Sequence, residues 1–468
     1  MRRPPLATRK VAAVVAVPIA LTVAVLLARR GRADTPPSIA KLTAPQAAAA
    51  AVAPPPPSFA GVDLAKMEVK DSGATALLPD KRTVKLSVEP ALQRTADNVM
   101  SMHHLPEAAV VVMEVDTGRV LVYASHVDKG PKRDLAIEAT APAASVFKVI
   151  TGTSLVEHQQ ATPDQKECYS GGEQRLLAHD LVPDPKRDKW CTTVALAMGR
   201  SVNTVFARLA LAHLKPAELD ETAKAYGFNA ALPFDVPVQP STAKFPEDQL
   251  GYARTAAGFW NTTLSPLHAA WIGATLARGG EPVRPVLITD IVDDGKVKWS
   301  ASTQPLPQKR IMKTETAQAV TRMMETTVSD GTSYRAFHDA KGRSFLPGVA
   351  VASKTGTLTD ASTQRFYTWF AGFAPTKPVE MPEVDGATLA QPKKVAFGVL
   401  VVNDPTWTIK ANVLAREVLR AYFAAQKVPG VSAPRGAAKD DQSRERDGEP
   451  SGGASTTPAT KHRRQRGS

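Results

Sequence analysis

Strand-like runs stand at both ends of one long stretch of this chain, with helical spacing between them. That arrangement limits the possible folds more than any other feature. Ala108–Met113 and Arg119–Ala124 are apolar and β-rich, and they flank Asp116-Thr117-Gly118, a hairpin signal. Gly348–Ser353, Thr368–Ala374 and Val395–Val402 repeat the strand pattern far downstream. Between them, Ser145–Glu157, Thr193–Leu214 and Pro266–Arg278 carry apolar residues at helical spacing, while Ala91–Met102 and Lys410–Gln426 read as the first and last helices. Early and late strands can share one sheet only if the middle of the chain is inserted between them. The expected class is therefore α+β: one antiparallel sheet flanked by helices, with a helical subdomain, over residues 84–427. No internal repeat is visible.

The ends of the chain differ from this body. Val11–Ala28 departs from an apolar run only at Pro18 and Thr22. As a helix its 18 residues would span roughly 27 Å, close to the hydrocarbon thickness of a bilayer. Arg2, Arg3, Arg9 and Lys10 precede it, and Arg29, Arg30 and Arg32 follow it, which favours residues 1–10 on the cytoplasmic side. The expectation is an N-terminal transmembrane helix at 11–28 in a single-pass membrane protein, with the remainder on the extracytoplasmic side. A cleaved signal peptide is the rival reading, and it also exports the chain. Residues 33–60 hold seven Pro and ten Ala, so 29–83 reads as a semi-rigid linker. Gly, Ser, Pro and mixed charge mark 428–468 as a disordered basic tail.

Charge, divided along the chain, excludes one class of function. Residues 1–33 carry seven basic and no acidic residues, and 428–468 carry eight basic against five acidic, so of the net +13 only +3 belongs to 34–427. The body is not a nucleic-acid binder by composition. Nine histidines and two cysteines form no HExxH or zinc-type spacing, and neither a P-loop nor a GxGxxG fingerprint is present. No metal or other cofactor is expected.

Three short motifs carry the chemistry: Ser145-Val146-Phe147-Lys148, Ser201-Val202-Asn203 and Lys354-Thr355-Gly356. SxxK also occurs at Ser38–Lys41, in the Pro/Ala stretch, and at Ser241–Lys244, between Pro240 and Pro246. Only Ser145 opens a helical segment, where residues i and i+3 share a face and the Lys148 amine can reach the Ser145 hydroxyl. A serine attacks only when a base takes its proton, and a lysine is that base only when burial or nearby positive charge lowers its pKa. Lys354 can supply such charge and can hold a carboxylate at a strand end. Ser201 can relay protons, and the Asn203 amide can bind a peptide substrate. Gly356 lets a substrate backbone approach the strand. Taken singly, each residue is as ordinary as a helix cap or a solvated strand end. Their shared order and placement are not.

The same order resembles the penicillin-binding transpeptidase family, whose signature is SxxK, SxN and KTG. Ala109–Val120 is similar to that family's first hairpin, Ala195–Ala210 to its SxN helix, and Leu264–Ala270 with Ala277-Arg278-Gly279-Gly280 to its TPLQ-A…ANGG helix. The resemblance implies a penicillin-binding transpeptidase/β-lactamase-like fold in a monofunctional, minimal form. It implies Ser145 as acylated nucleophile, Lys148 as base, Ser201 as relay and Asn203 as amide binder. Lys354 and Thr355 would hold the carboxylate, and the backbone N–H groups of Ser145 and Thr357 would form the oxyanion hole beside Gly356. Ala143-Ala144 departs from the common Pro-Gly before the nucleophile, and Leu358 stands where a small residue is frequent.

The expected function is a membrane-anchored peptidoglycan D,D-transpeptidase that cross-links stem peptides, is acylated by β-lactams and can act within a cell-wall synthesis complex. A D,D-carboxypeptidase, with water as acceptor, and a non-enzymatic β-lactam receptor are the alternatives. Glu247-Asp248-Gln249-Leu250-Gly251, an echo of a β-lactamase ExxLN motif with Gly for Asn, reads as a surface turn. In an exported domain Cys168 and Cys191 are expected to form a disulfide that closes a loop of about 24 residues, worth roughly 3 kcal/mol in the chain-entropy model. Two separate buried thiols are the alternative.

Overall fold

The computed structural model describes residues 58–172, 175–302, 308–360 and 362–434. The apolar run at 11–28, most of the Pro/Ala stretch and the tail beyond 434 lie outside the described residues. Among the described residues no helix is long and apolar enough to cross a membrane.

Five strands build the central sheet: β1 (Glu107–Glu114), β2 (Val120–Val127), β3 (Ala352–Asp360), β4 (Arg365–Ala374) and β5 (Val395–Asn403). All neighbours are antiparallel, in the order β3-β4-β5-β1-β2. The early hairpin thus joins the late strands, with β5 against β1. At the hairpin turn Gly118 has φ +76°, and a Cβ there would lie 2.1 Å from the Arg284 carbonyl oxygen, so only glycine fits. β5 is buried along its whole length because both sheet faces are covered.

Seven helices matter for the site: α1 (Pro90–Met102), α2 (Lys148–Glu157), α3 (Asn203–His213), α4 (Gln249–Ala256), α5 (Pro266–Ala277), α6 (Thr314–Ser329) and α7 (Ala411–Ala425). On one face α1 and α7 enclose Val399 and Val401 with the stacked rings of Phe370 and Phe397. The alternate residues, Leu400 and Val402, point to the other face, into a core shared with α2, α5 and α6. Helix α5 is apolar nearly all round, as a helix buried on every side must be. It lies unusually close to the sheet: a Cβ on Gly273 would meet the Gly372 carbonyl at 2.3 Å, and one on Gly398 would meet the Pro266 carbonyl at 2.1 Å.

The folded part begins before residue 84. Glu68–Lys70, Gly73–Leu77 and Thr83–Leu86 pair with Ile288–Asp293 and Lys296–Ser300 in a second five-stranded antiparallel sheet. The linker boundary at 83 is corrected accordingly. These strands are short and carry few apolar residues, so they lack the pattern of the central strands. The tail boundary at 428 also moves, since Val428 is buried and Val431 packs against the α1/α7 core. The expected helix Thr193–Leu214 is two helices, Val194–Gly199 and α3, separated by Ser201 with φ +60°. The strand expected at Gly348–Ser353 starts at Ala352 and runs through the KTG motif.

Candidate active site

Three elements converge on one point. Ser145 sits in a single 3-10 turn, Ala144–Phe147, that leads into α2. The turn is pinned from both sides: Trp369 Nε1 donates to the Pro142 carbonyl at 2.8 Å, and Gly258 lies so close that a Cβ would stand 2.3 Å from the Ala144 carbonyl. Ala144 itself has φ +48°, the conformation a glycine takes at least cost, so its methyl is held there under strain of about 1 kcal/mol or more.

Lys148 has no exposed surface. Its Nζ lies 2.8 Å from Ser145 Oγ, donates to Asn203 Oδ1 at 2.6 Å and donates to the Ala257 carbonyl. Burial, and then the charge of Lys354, push its pKa well below the ordinary lysine value. A neutral amine has two N–H bonds and one lone pair. With the N–H groups committed to Asn203 and Ala257, the lone pair is left for the Ser145 hydroxyl.

Lys354, also without exposed surface, comes from the edge strand β3 and donates to Ser201 Oγ at 2.9 Å and to the Thr355 carbonyl at 2.9 Å. Burial lowers its pKa to about 7. Two buried ammonium groups this close repel, so one is held neutral while the other can carry charge. Asn203 opens α3, and its Nδ2 donates to the Gly172 carbonyl at 2.9 Å. Gly356 lets β3 lie against the nucleophile turn: a Cβ there would approach Ala144 Cβ to 3.2 Å and Trp369 Cβ to 3.1 Å. Among the described residues β3 has a strand partner on one side only, and its other edge faces away from the sheet, where an extended substrate could pair.

Ser145, Ser201, Asn203, Thr355, Gly356 and Thr357 all line one cleft of about 1220 Å³, with Tyr169, Trp260 and Trp407 at its walls. A larger cavity of about 1490 Å³ lies between α1 and α7, and none of the motif residues reaches it. The polar side chains of the three motifs, Ser145, Lys148, Ser201, Asn203, Lys354 and Thr355, thus lie together around one cleft, while Val146 and Phe147 pack in the core. Ser241 does not join them: it is buried, and its hydroxyl accepts from the Ser265 backbone N–H at 3.2 Å. Ser38 lies outside the described residues.

Other contributors lie outside the three motifs. The Ala257 and Gly172 carbonyls act through the backbone, and Thr332 meets Thr355 hydroxyl to hydroxyl at 2.6 Å. The segment 247–251 lies at the surface, with Glu247, Asp248 and Gln249 exposed, and it turns into the start of α4. Asp248 caps α4, accepting from the Gly251 N–H at 2.7 Å, and α4 ends at the Ala257 carbonyl that receives Lys148. An Asp three residues before a glycine N–H was a readable cap. Cys168 and Cys191 face each other across the strand pair Lys166–Tyr169 and Trp190–Thr193 and are joined as a disulfide. Among the described residues no group of His, Cys, Asp and Glu is placed to hold a metal ion.

Known proteins match this chain along most of its folded part. The family model described as the penicillin binding protein transpeptidase domain matches residues 108–384. The peptidoglycan D,D-transpeptidase PbpA of Mycobacterium tuberculosis (strain ATCC 25618 / H37Rv) is 27% identical over 371 residues, covering 69% of this chain and 68% of the relative. Stage V sporulation protein D of Bacillus subtilis (strain 168) is 23% identical over 314 residues, covering 63% of this chain and 47% of the relative. Among solved structures, the D,D-transpeptidase domain of a peptidoglycan glycosyltransferase from Eggerthella lenta has a TM-score of 0.58 at 23% identity, covering 75% of this chain and 84% of that one. The penicillin G acyl-enzyme complex of penicillin-binding protein A from M. tuberculosis has a TM-score of 0.54 at 24% identity, covering 73% and 80%.

Proposed function

The chain belongs to the penicillin-binding protein transpeptidase family, and on that premise we propose that it is a membrane-anchored peptidoglycan D,D-transpeptidase working through an acyl-enzyme on Ser145. The observation that carries this reading is the state of Lys148. It is buried, its pKa is lowered, and its Nζ stands 2.8 Å from Ser145 Oγ; in its neutral form, with its N–H groups on Asn203 Oδ1 and the Ala257 carbonyl, its lone pair serves the Ser145 hydroxyl.

In the first half-reaction Ser145 Oγ attacks the carbonyl of the penultimate D-Ala while Lys148 takes the proton. The substrate strand lies along the open edge of β3, and the backbone N–H groups of Ser145 and Thr357 polarise the carbonyl. Lys354 and Thr355 hold the terminal carboxylate, and Asn203 binds the side of the peptide. The proton taken by Lys148 is delivered to the departing D-Ala amine with the Ser201 hydroxyl, 2.9 Å from Lys354, as relay, which leaves Lys148 neutral again. An acceptor stem-peptide amine then attacks the ester and gives its proton to Lys148; the cross-link forms as the Ser145 oxygen leaves and takes that proton back. A β-lactam presents a strained amide and a carboxylate in the same relation and enters at the first step. The relative PbpA carries the name of this activity, and a neighbouring structure is an acyl-enzyme with penicillin G.

Product analysis with a donor pentapeptide and an acceptor amine tests the proposal. Free D-Ala and the tetrapeptide joined through a new amide bond to the acceptor amine are expected. Release of D-Ala with water as sole acceptor would make the protein a D,D-carboxypeptidase instead, and no acyl-enzyme at all would reject both. The anchor at 11–28 is proposed from its apolar run alone. Protease added to spheroplasts should digest the domain and leave a short protected N-terminal fragment, and a fully protected domain would overturn that topology.

A further inference from the structure

Asn203 has to keep one orientation. Its Oδ1 accepts from Lys148 at 2.6 Å and its Nδ2 donates to the Gly172 carbonyl at 2.9 Å. A flip of the amide would turn its N–H groups towards the lysine and its oxygen towards a carbonyl. The Gly172 carbonyl therefore sets which end of Asn203 faces the base and which faces the cleft. Gly172 is itself built for that place. Its φ is +76°, and a Cβ would stand 1.9 Å from Thr204 Oγ1, while the preceding Gly171 carbonyl accepts from that same hydroxyl at 2.9 Å.

Gly172 stands near the start of the segment that the Cys168–Cys191 bridge closes. The segment is tied to α3 a second time. Arg208, on the same helix as Asn203, donates to the Cys168 and Asp180 carbonyls at 3.3 and 2.6 Å and pairs with Asp188 at 2.7 Å. Asp188 in turn accepts from Ser170 Oγ at 2.8 Å, two residues before Gly172. The bridge and the Arg208 hub both hold residues 168–172 against the N-terminal half of α3, although no cysteine or arginine atom of the pair touches the cleft chemistry.

We propose that the bridged segment 168–172 is a positioning element for Asn203: the Cys168–Cys191 bridge and Arg208 fix the Gly172 carbonyl, and that carbonyl fixes the amide the acylation needs. The inference rests on the acyl-transfer reading of the site. Opening the bridge lets Gly172 withdraw and Asn203 turn, and acylation slows although Ser145 and Lys148 are unchanged.

A double-mutant cycle tests this. Fluorescent penicillin acylation is followed over hours for the intact protein, Cys168→Ser/Cys191→Ser, Asn203→Ala and the triple variant, with far-UV circular dichroism at the assay temperature confirming that each is folded. Opening the bridge should slow the intact protein about tenfold, or roughly 1.4 kcal/mol. In the Asn203→Ala background the same change should cost less than about twofold, because the residue it acts through is gone. Equal slowing in both backgrounds would show a general structural role and overturn the inference, as would no slowing at all. If the bridge variant does not fold, Arg208→Gln, which leaves the disulfide in place, is read through the same cycle with the same expectations. An intact protein that is never acylated would overturn the proposed function and this inference together. An acylated intact protein with additive effects overturns this inference alone.

Discussion

The site contains two serine–lysine pairs with almost the same geometry and different origins. Ser145 and Lys148 are three residues apart on one helical segment and meet at 2.8 Å. Ser201 and Lys354 are 153 residues apart, one in a left-handed turn before α3 and the other on the edge strand, and meet at 2.9 Å. Each lysine is fully buried, and burial lowers the pKa of both, with the charge of Lys354 adding to the effect at Lys148. In the proposed mechanism this contrast goes with different roles. The local pair, held by one turn, would supply the base. The distant pair depends on how the sheet meets α3, and it would supply a charge for the substrate carboxylate.

Breaking the local pair should have the largest effect. Ser145→Ala should abolish covalent labelling by penicillin, because the atom that forms the ester is gone. Lys148→Ala should slow acylation by about 10²- to 10⁴-fold, the usual contribution of a general base. Stopped-flow or hours-long labelling time courses read both, with circular dichroism confirming the fold. Loss of less than tenfold in Lys148→Ala would move the base elsewhere.

Breaking the distant pair should cost less. Lys354→Ala removes a charge-assisted hydrogen bond to the carboxylate, worth about 1.5–3 kcal/mol, so the second-order acylation constant should fall roughly ten- to hundredfold. A β-lactam ester lacking the free carboxylate should show little of that difference, which separates recognition from misfolding.

The two lysines also predict the pH profile. Acylation needs Lys148 neutral and Lys354 charged. In the free protein the second-order constant should therefore fall as pH rises through about 7, where Lys354 loses its proton. A bound carboxylate favours the charged form, so under saturating substrate this alkaline limb should move to higher pH. A limb that stays fixed would mean that the carboxylate does not sit at Lys354.

The smallest effect is on stability. Burial holds the Lys354 pKa below its unfolded value of 10.5, so between about 7 and 10.5 the unfolded chain binds more protons and stability rises with pH. Lys354→Met removes the group that must be desolvated. It should raise the melting temperature by about 1–2 °C, on the order of 1 kcal/mol, while acylation falls. A lowered melting temperature would show that the bonds of Lys354 to Ser201 and Thr355 outweigh its burial cost.

The difference between the pairs also explains what could be read in the sequence. Ser145 and Lys148 are legible because one helical turn brings them together, and the central strands and α5 are legible because burial on both faces demands unbroken apolar runs. Ser201 and Lys354 could be joined only by the order of the motifs, since no local pattern links a turn to a strand 153 residues later. The break at Ser201 was hidden because apolar spacing continues through it on both sides. Helix α6 and the second sheet were missed for a related reason: Thr314–Ser329 is half polar, and Glu68–Lys70 and Gly73–Leu77 are too short and too polar to show a period. The Ala257 and Gly172 carbonyls are invisible in any sequence, because every residue has one.

The central claim is that the local pair performs covalent catalysis, and the adduct itself tests it most directly. The intact protein is labelled with penicillin, digested and mapped by mass spectrometry. The account predicts a single penicilloyl ester on the peptide carrying Ser145, absent from Ser145→Ala. An ester on Ser241, or no ester on any serine of the folded intact protein, would contradict it.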